Sequence, residues 1–116
     1  MSHNRDLRAR TREFAIRIVR VYQSLPYKTD AQVLGKQLLR SGTSVAANYR
    51  AVQRARSRAE FVSKMGTVVE EADETLFWLD LMVETGVVKA KRLEGLIEEA
   101  DELLAIFVTS HKTAKH

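Results

Sequence analysis

The sequence predicts an all-α protein folded as one up-down-up-down antiparallel four-helix bundle. Three observations carry that prediction. The chain holds one proline and five glycines in 116 residues. Its composition is dominated by Ala, Leu, Glu, Arg and Val, which favour helix. Apolar residues return at helical spacing in four separate runs, and no stretch alternates as a strand does. At this length the chain is a single domain, with a core expected over about residues 7–108.

The first helix is expected from about Leu7 to Ser24, where Leu7, Phe14, Ile18, Val21 and Leu25 keep to one stripe. It ends at "SLPY", because the residue before Pro26 is pushed out of the α region. Thr29 is expected to open the second helix, with Gln32 three residues later completing a capping box. Its stripe is Leu34, Leu38, Ser41, Val45, Asn48 and Val52. Gly35 and Gly42 stand seven residues apart on one face, where two backbones can approach closely. Ser41 and Asn48 fall on the same seam, where a buried polar side chain needs a partner and so sets register.

Ser57, with Glu60 three residues on, is a second capping-box pattern and starts the third helix. That helix is expected to reach Thr85, with Gly86 just past its end. Phe61, Met65, Val68, Ala72, Leu79 and Val83 form one stripe, and Phe77, Trp78 and Leu81 a second apolar face. A helix apolar on two sides has to bury both, centrally in a bundle or against another subunit. The fourth helix is expected from about Ala90 to Val108, on Leu93, Leu96, Ile97, Ala100, Leu103, Leu104 and Phe107. "SHKTAKH" then reads as a frayed polar tail, residues 109–116.

Enzyme chemistry finds no constellation. The chain has no cysteine, which excludes disulfides, thiolate metal sites and cysteine nucleophiles together. "SGTS", residues 41–44, lacks the Lys that a phosphate loop places before its hydroxyl residue. His3, His111 and His116 fall in the expected tails, and no Glu-x-x-His pair supports a bundle metal site. Glu70, Glu71, Asp73 and Glu74, like Glu98, Glu99, Asp101 and Glu102, read as solvated or salt-bridged faces. Ser41, Thr43 and Ser44 have no helical histidine to activate them. No catalytic, metal-binding or cofactor-binding residue is therefore expected. With a charged start and no apolar run of about 20 residues, a cytoplasmic protein without membrane contact is expected.

Charge is where function enters. Residues 1–60 carry 13 Lys/Arg against 4 Asp/Glu and residues 61–116 carry 6 against 11, so balances of +9 and −5 make up the net +4. Arg5, Arg8 and Arg12 share one side of the first helix, while Arg10 and Arg17 share another. Arg50, Arg54 and Arg58 follow at i+4, a single ridge if helix continues through "RAVQRARSR". Arginine grips phosphate bidentately and stays charged, so such a ridge can track RNA or DNA. Only Tyr49 is near for base stacking, so the expected mode is phosphate and shape contact without base readout. The candidate contacts are Arg8, Arg12, Arg17, Arg50, Arg54 and Arg58. The other reading open at this point is that these arginines pair with the acidic faces of the third and fourth helices, within or between subunits.

Several elements together resemble a known family. They are the Leu25-Pro26 end of the first helix, Gln37-Leu38-Leu39-Arg40-Ser41, Ser44, Asn48, Arg58, Glu60-Phe61, and "EADETLFWLDL" over residues 71–81. From about Arg12 to Val108 the chain is similar to the four-helix-bundle proteins encoded in intervening sequences of bacterial 23S ribosomal RNA genes. That family is also labelled S23 ribosomal protein, and it includes the accessory variability determinant of diversity-generating retroelements. The resemblance implies a bundle assembling as a homopentameric ring. For the retroelement branch it also implies a basic, nucleic-acid-binding surface and contact with a reverse transcriptase. The chain departs from the family at Asn48-Tyr49-Arg50-Ala51-Val52, where relatives commonly read N-I-A-E-G, and Arg50 makes this stretch more basic. A second function class follows, an oligomeric interaction scaffold with its arginines used between subunits.

Overall fold

The computed structural model describes the backbone of residues 3–116 and the side chains from Leu7 onward. The expected contribution of Arg5 lies outside the described side chains. Four helices follow in order: α1 (His3–Gln23), α2 (Thr29–Gln53), α3 (Arg58–Glu84) and α4 (Ala90–Lys115). Helices of this length rise about 30–40 Å, which agrees with the 45 × 26 × 21 Å extents of the molecule. Each packs on the next, α1 on α2, α2 on α3 and α3 on α4, and a looser α1–α4 contact closes the bundle.

Each helix end has a local cause. At the start of α3, Ser57 Oγ accepts the Glu60 N–H at 3.1 Å with Ser57 in an extended conformation, the expected cap. At its end, the Val87 N–H reaches the Met82 carbonyl and the Gly86 N–H reaches that of Val83, both backbone bonds of a Schellman turn. Gly86 sits at φ +77°, where only glycine is unstrained.

Two ends differ from expectation. α2 is preceded by Lys28 rather than capped by Thr29, and no side chain caps it. Gln32 instead ties the connection to α1: its amide donates to the Pro26 carbonyl at 3.0 Å, and its Oε1 accepts from the Tyr22 hydroxyl at 3.2 Å. α4 does not stop near Val108; residues 109–115 continue it for two further turns. The Arg58 Nε–H donates to the Ala114 carbonyl at 2.7 Å, filling one of the acceptors a helix end leaves open. Lys112 and Lys115 complement the negative end of the helix dipole. His111, expected in a frayed tail, is thus held on α4 with its ring beside Gly66 of α3.

The core follows the predicted stripes closely. Phe14, Ile18, Leu38, Val45, Val68, Leu79, Leu93, Leu103 and Phe107 are all at least 98% buried. α1 and α2 meet most tightly where glycine allows it. A Cβ on Gly42 would lie 2.7 Å from Ile18 Cγ1, and one on Gly35 would lie 2.5 Å from Leu25 Cδ1. Ser41 is fully buried, but its hydroxyl reaches back to the Leu38 carbonyl of its own helix, at a long 3.4 Å. It makes no cross-helix bond that could set register. Asn48 is only half-buried, and its neighbour Tyr49 takes the inward position instead. Position counting missed this because the inward stripe of α2 drifts as helical residues advance by 3.6 rather than 3.5 per turn.

On α3 the inward line is Met65, Val68, Ala72, Thr75, Leu79 and Met82. The second apolar face is divided in its exposure. Leu81 and Trp78 are half-buried, whereas Phe77 is 55% exposed and meets Trp78 edge-on, their centroids 4.9 Å apart. The Trp78 indole N–H is shielded from water, with no hydrogen-bond partner among the described residues. The chain alone therefore leaves this face incompletely covered.

Candidate nucleic-acid interface

The two-sided charge distribution resolves into two kinds of arginine. Arg10 reaches across to α4 and grips Glu99 through two bonds, Nε to Oε2 at 3.1 Å and Nη2 to Oε1 at 2.7 Å, with Glu102 at 3.0 Å. Arg40 reaches across to α3 and pairs with Glu71, at 3.4 Å, and with Glu74. These pairs neutralise part of the basic half against the acidic half; the salt-bridge reading named Arg10 but not Arg40. Burial pushes the Glu71 carboxyl above the usual carboxylate range despite the charge of Arg40.

Arg8, Arg12, Arg17, Arg20 and Arg50 of α1 and α2 have no carboxylate within 4 Å among the described residues. The seam between the two helices gathers most of them. A small cleft is lined by Arg8, Thr11 and Arg12 of α1 with Ala46, Ala47, Tyr49 and Arg50 of α2. Ala47 and Arg50 continue into a wider groove with Ala51, Arg54, Arg56, Glu60 and Lys64, beyond the end of α2. In the other direction Arg12 and Ala46 continue into a shallow trough with Ile16, Val19 and Arg20. Shared residues make these three depressions one strip. Ala46, Ala47 and Ala51 of α2 line it, small side chains that leave space between the helices. Its rim holds exposed Arg8, Arg12, Arg20, Arg50, Arg54 and Arg56, and Glu60 is the single carboxylate lining it among the described residues.

The candidate residues thus fall into separate places. Arg8, Arg12, Arg50 and Arg54 are brought together. Arg17 is not: it lies on the α1–α4 side, its guanidinium 3.4 Å from where a Cβ on Gly95 would stand. Arg58 is not either, because α2 ends at Gln53 and breaks the expected i+4 ridge. Arg58 opens α3 and spends its Nε–H on the end of α4. Conversely Arg20, Arg56 and Lys64 join the strip without belonging to the i+4 pattern that selected candidates in the sequence. Tyr49 offers no stacking platform, because its ring is buried against Phe107 at 5.8 Å between centroids.

Among the described residues, no group of three or more His, Asp or Glu side chains is placed to hold a metal ion. No helix among them is long and apolar enough to cross a membrane. The chain is a small helical bundle with a cationic strip along its α1–α2 seam.

Comparison with known proteins gives the family of this bundle. The family described as 23S rRNA-intervening sequence protein matches residues 4–109, and the chain belongs to it. Among solved structures, it is similar to a protein of unknown function from the S23 ribosomal protein family of Bacteroides thetaiotaomicron VPI-5482. The two are 35% identical over 90% of this chain and 97% of that one, with a TM-score of 0.84. No curated protein matches the chain.

Proposed function

We propose that the protein is a non-enzymatic, self-associating bundle that binds RNA or DNA along the α1–α2 seam through phosphate contacts. The observation that carries this reading is selective pairing. Arg10 and Arg40 are taken up by carboxylates, while Arg8, Arg12, Arg50 and Arg54 converge on one strip and none of them meets one among the described residues. Electrostatic repulsion between gathered guanidiniums is unfavourable unless a polyanion offsets it. Arginine's planar fork suits phosphate oxygens, and the absence of an exposed stacking aromatic in the strip argues for backbone contact without base readout. The family's name, tied to an intervening sequence of 23S rRNA, is compatible with an RNA ligand.

A second reading has its own observation in Phe77 and Trp78. A half-exposed aromatic pair with a water-shielded, unpartnered indole N–H suits a protein contact. We place such a face between the subunits of the homopentameric ring that the resemblance implies, and a scaffold role sets a reverse transcriptase or another protein on that ring.

The double variant Arg50→Glu/Arg54→Glu separates the two. We expect native mass spectrometry to give the parent's assembly while binding to a labelled single-stranded RNA falls by 100-fold or more, on the order of two lost phosphate contacts plus repulsion. Loss of assembly with the charge reversal assigns these arginines to subunit contacts instead.

A further inference from the structure

The α1–α2 cleft differs from the rest of the strip in size and in what lines it. It has a volume of about 170 Å³, against about 570 Å³ for the groove beside it. Pockets for whole small molecules run to about 300–1,000 Å³, so this cleft fits a charged group and not a nucleoside. Three arginines, Arg8, Arg12 and Arg50, line it, all exposed, and no carboxylate lines it among the described residues. Its walls include two nine-tenths-buried side chains, Thr11 and Tyr49. The Thr11 hydroxyl is already spent on the Arg8 carbonyl at 3.1 Å. The Tyr49 hydroxyl has no hydrogen-bond partner among the described residues; like any tyrosine it is a phenol donor at neutral pH, and burial pushes its pKa further up.

We infer that this cleft is a socket for a phosphomonoester, the terminal phosphate of a nucleic-acid strand. The inference deepens the nucleic-acid reading and rests on it for the strand that carries the phosphate. An internal phosphodiester carries one negative charge and must continue on both sides. A terminal phosphate carries about −1.5 to −2 at neutral pH and presents three strong acceptor oxygens. Three guanidinium forks and a phenol match that charge and acceptor count, and a group-sized cleft receives an end more readily than a passing strand. The strip leading away past Arg54 and Arg56 then carries the following phosphates.

The test compares two single-stranded RNAs of one sequence, with a 5′-phosphate or a 5′-hydroxyl, on the parent and on Tyr49→Phe and Arg12→Gln. Alongside it, inorganic phosphate is titrated while the arginine Nε–H and tyrosine resonances are followed by NMR. We expect the phosphorylated RNA to bind about tenfold or more tightly, the scale of one charge-assisted hydrogen bond or better. That preference should shrink in Tyr49→Phe, which keeps the ring on Phe107, and vanish in Arg12→Gln. Inorganic phosphate should shift the resonances of Arg8, Arg12, Arg50 and Tyr49. Equal affinity for the two RNAs overturns the socket and leaves the wider seam reading standing. If neither RNA binds but phosphate shifts these resonances, the socket holds and the nucleic-acid reading fails. If neither RNA binds and phosphate shifts nothing, both are overturned.

Discussion

Replacing Gly42 with leucine is expected to lower the melting midpoint by roughly 10 °C, at about 4 °C per kcal/mol for a domain of this size. Gly42 is buried on α2 where α1 packs against it, and even a Cβ there would lie 2.7 and 2.8 Å from the γ carbons of Ile18. Ile18 is itself fully buried, so its side chain has nowhere to retreat. Overpacking of this kind costs about 1–3 kcal/mol, and three further carbons put leucine at the upper end. Helix propensity returns up to about 0.8 kcal/mol, because glycine is poor in a helix interior. Calorimetry, with native mass spectrometry to follow assembly, checks the result. A variant as stable as the parent and equally assembled contradicts the close α1–α2 packing.

Phe107→Ala is expected to cost more, about 3–5 kcal/mol, the usual range for emptying a fully buried aromatic site. That is a large share of the about 5–15 kcal/mol that holds a typical domain together. Phe107 is wholly buried on α4 and faces Tyr49 of α2 with the rings tilted by 33°. Its loss removes the surface that fixes Tyr49, so the change reaches the wall of the α1–α2 cleft as well as the core. We expect the tyrosine near-UV circular dichroism to weaken along with stability. Val108→Ala, one residue on and 42% exposed, is the control and should stay within about 0.5 kcal/mol of the parent. Similar losses at the two positions contradict the assigned facing of α4.

Both predictions concern packing that was largely legible in the sequence, because helix period and glycine spacing are local signals. Gly42 against a neighbouring helix, Ser57 as the α3 cap and Gly86 as its stop all follow from residues within a turn or two. The end of α4 was not legible in that way. Residues 109–115 look polar and frayed alone, and they are held by Arg58, more than 50 positions earlier in the chain. Gln32 was misread for the same reason, since its partners are Tyr22 and Pro26 across a connection rather than its own helix start.

The candidate site was half legible. Charge counting singled out the half of the chain that supplies most of the strip, and i+4 spacing singled out Arg50 and Arg54 within it. Which arginines remain available depends on how helices lie side by side. Nothing in the local sequence says that Arg10 faces Glu99 whereas Arg8 and Arg12 face Arg50. Arg56 and Lys64 joined the strip because α2 ends at Gln53, and a helix that ran on would have placed them elsewhere.

The proposed function requires that the gathered cations of the α1–α2 seam, none of them paired with a carboxylate among the described residues, bind the phosphates of a nucleic acid. It is tested most directly by measuring affinity for one RNA from 50 to 200 mM salt. For about six phosphate contacts the expected slope is about −4 to −5 in log affinity against log salt, shallower by about 1 in Arg12→Gln. Binding that ignores salt, or no binding at the lowest salt, contradicts it.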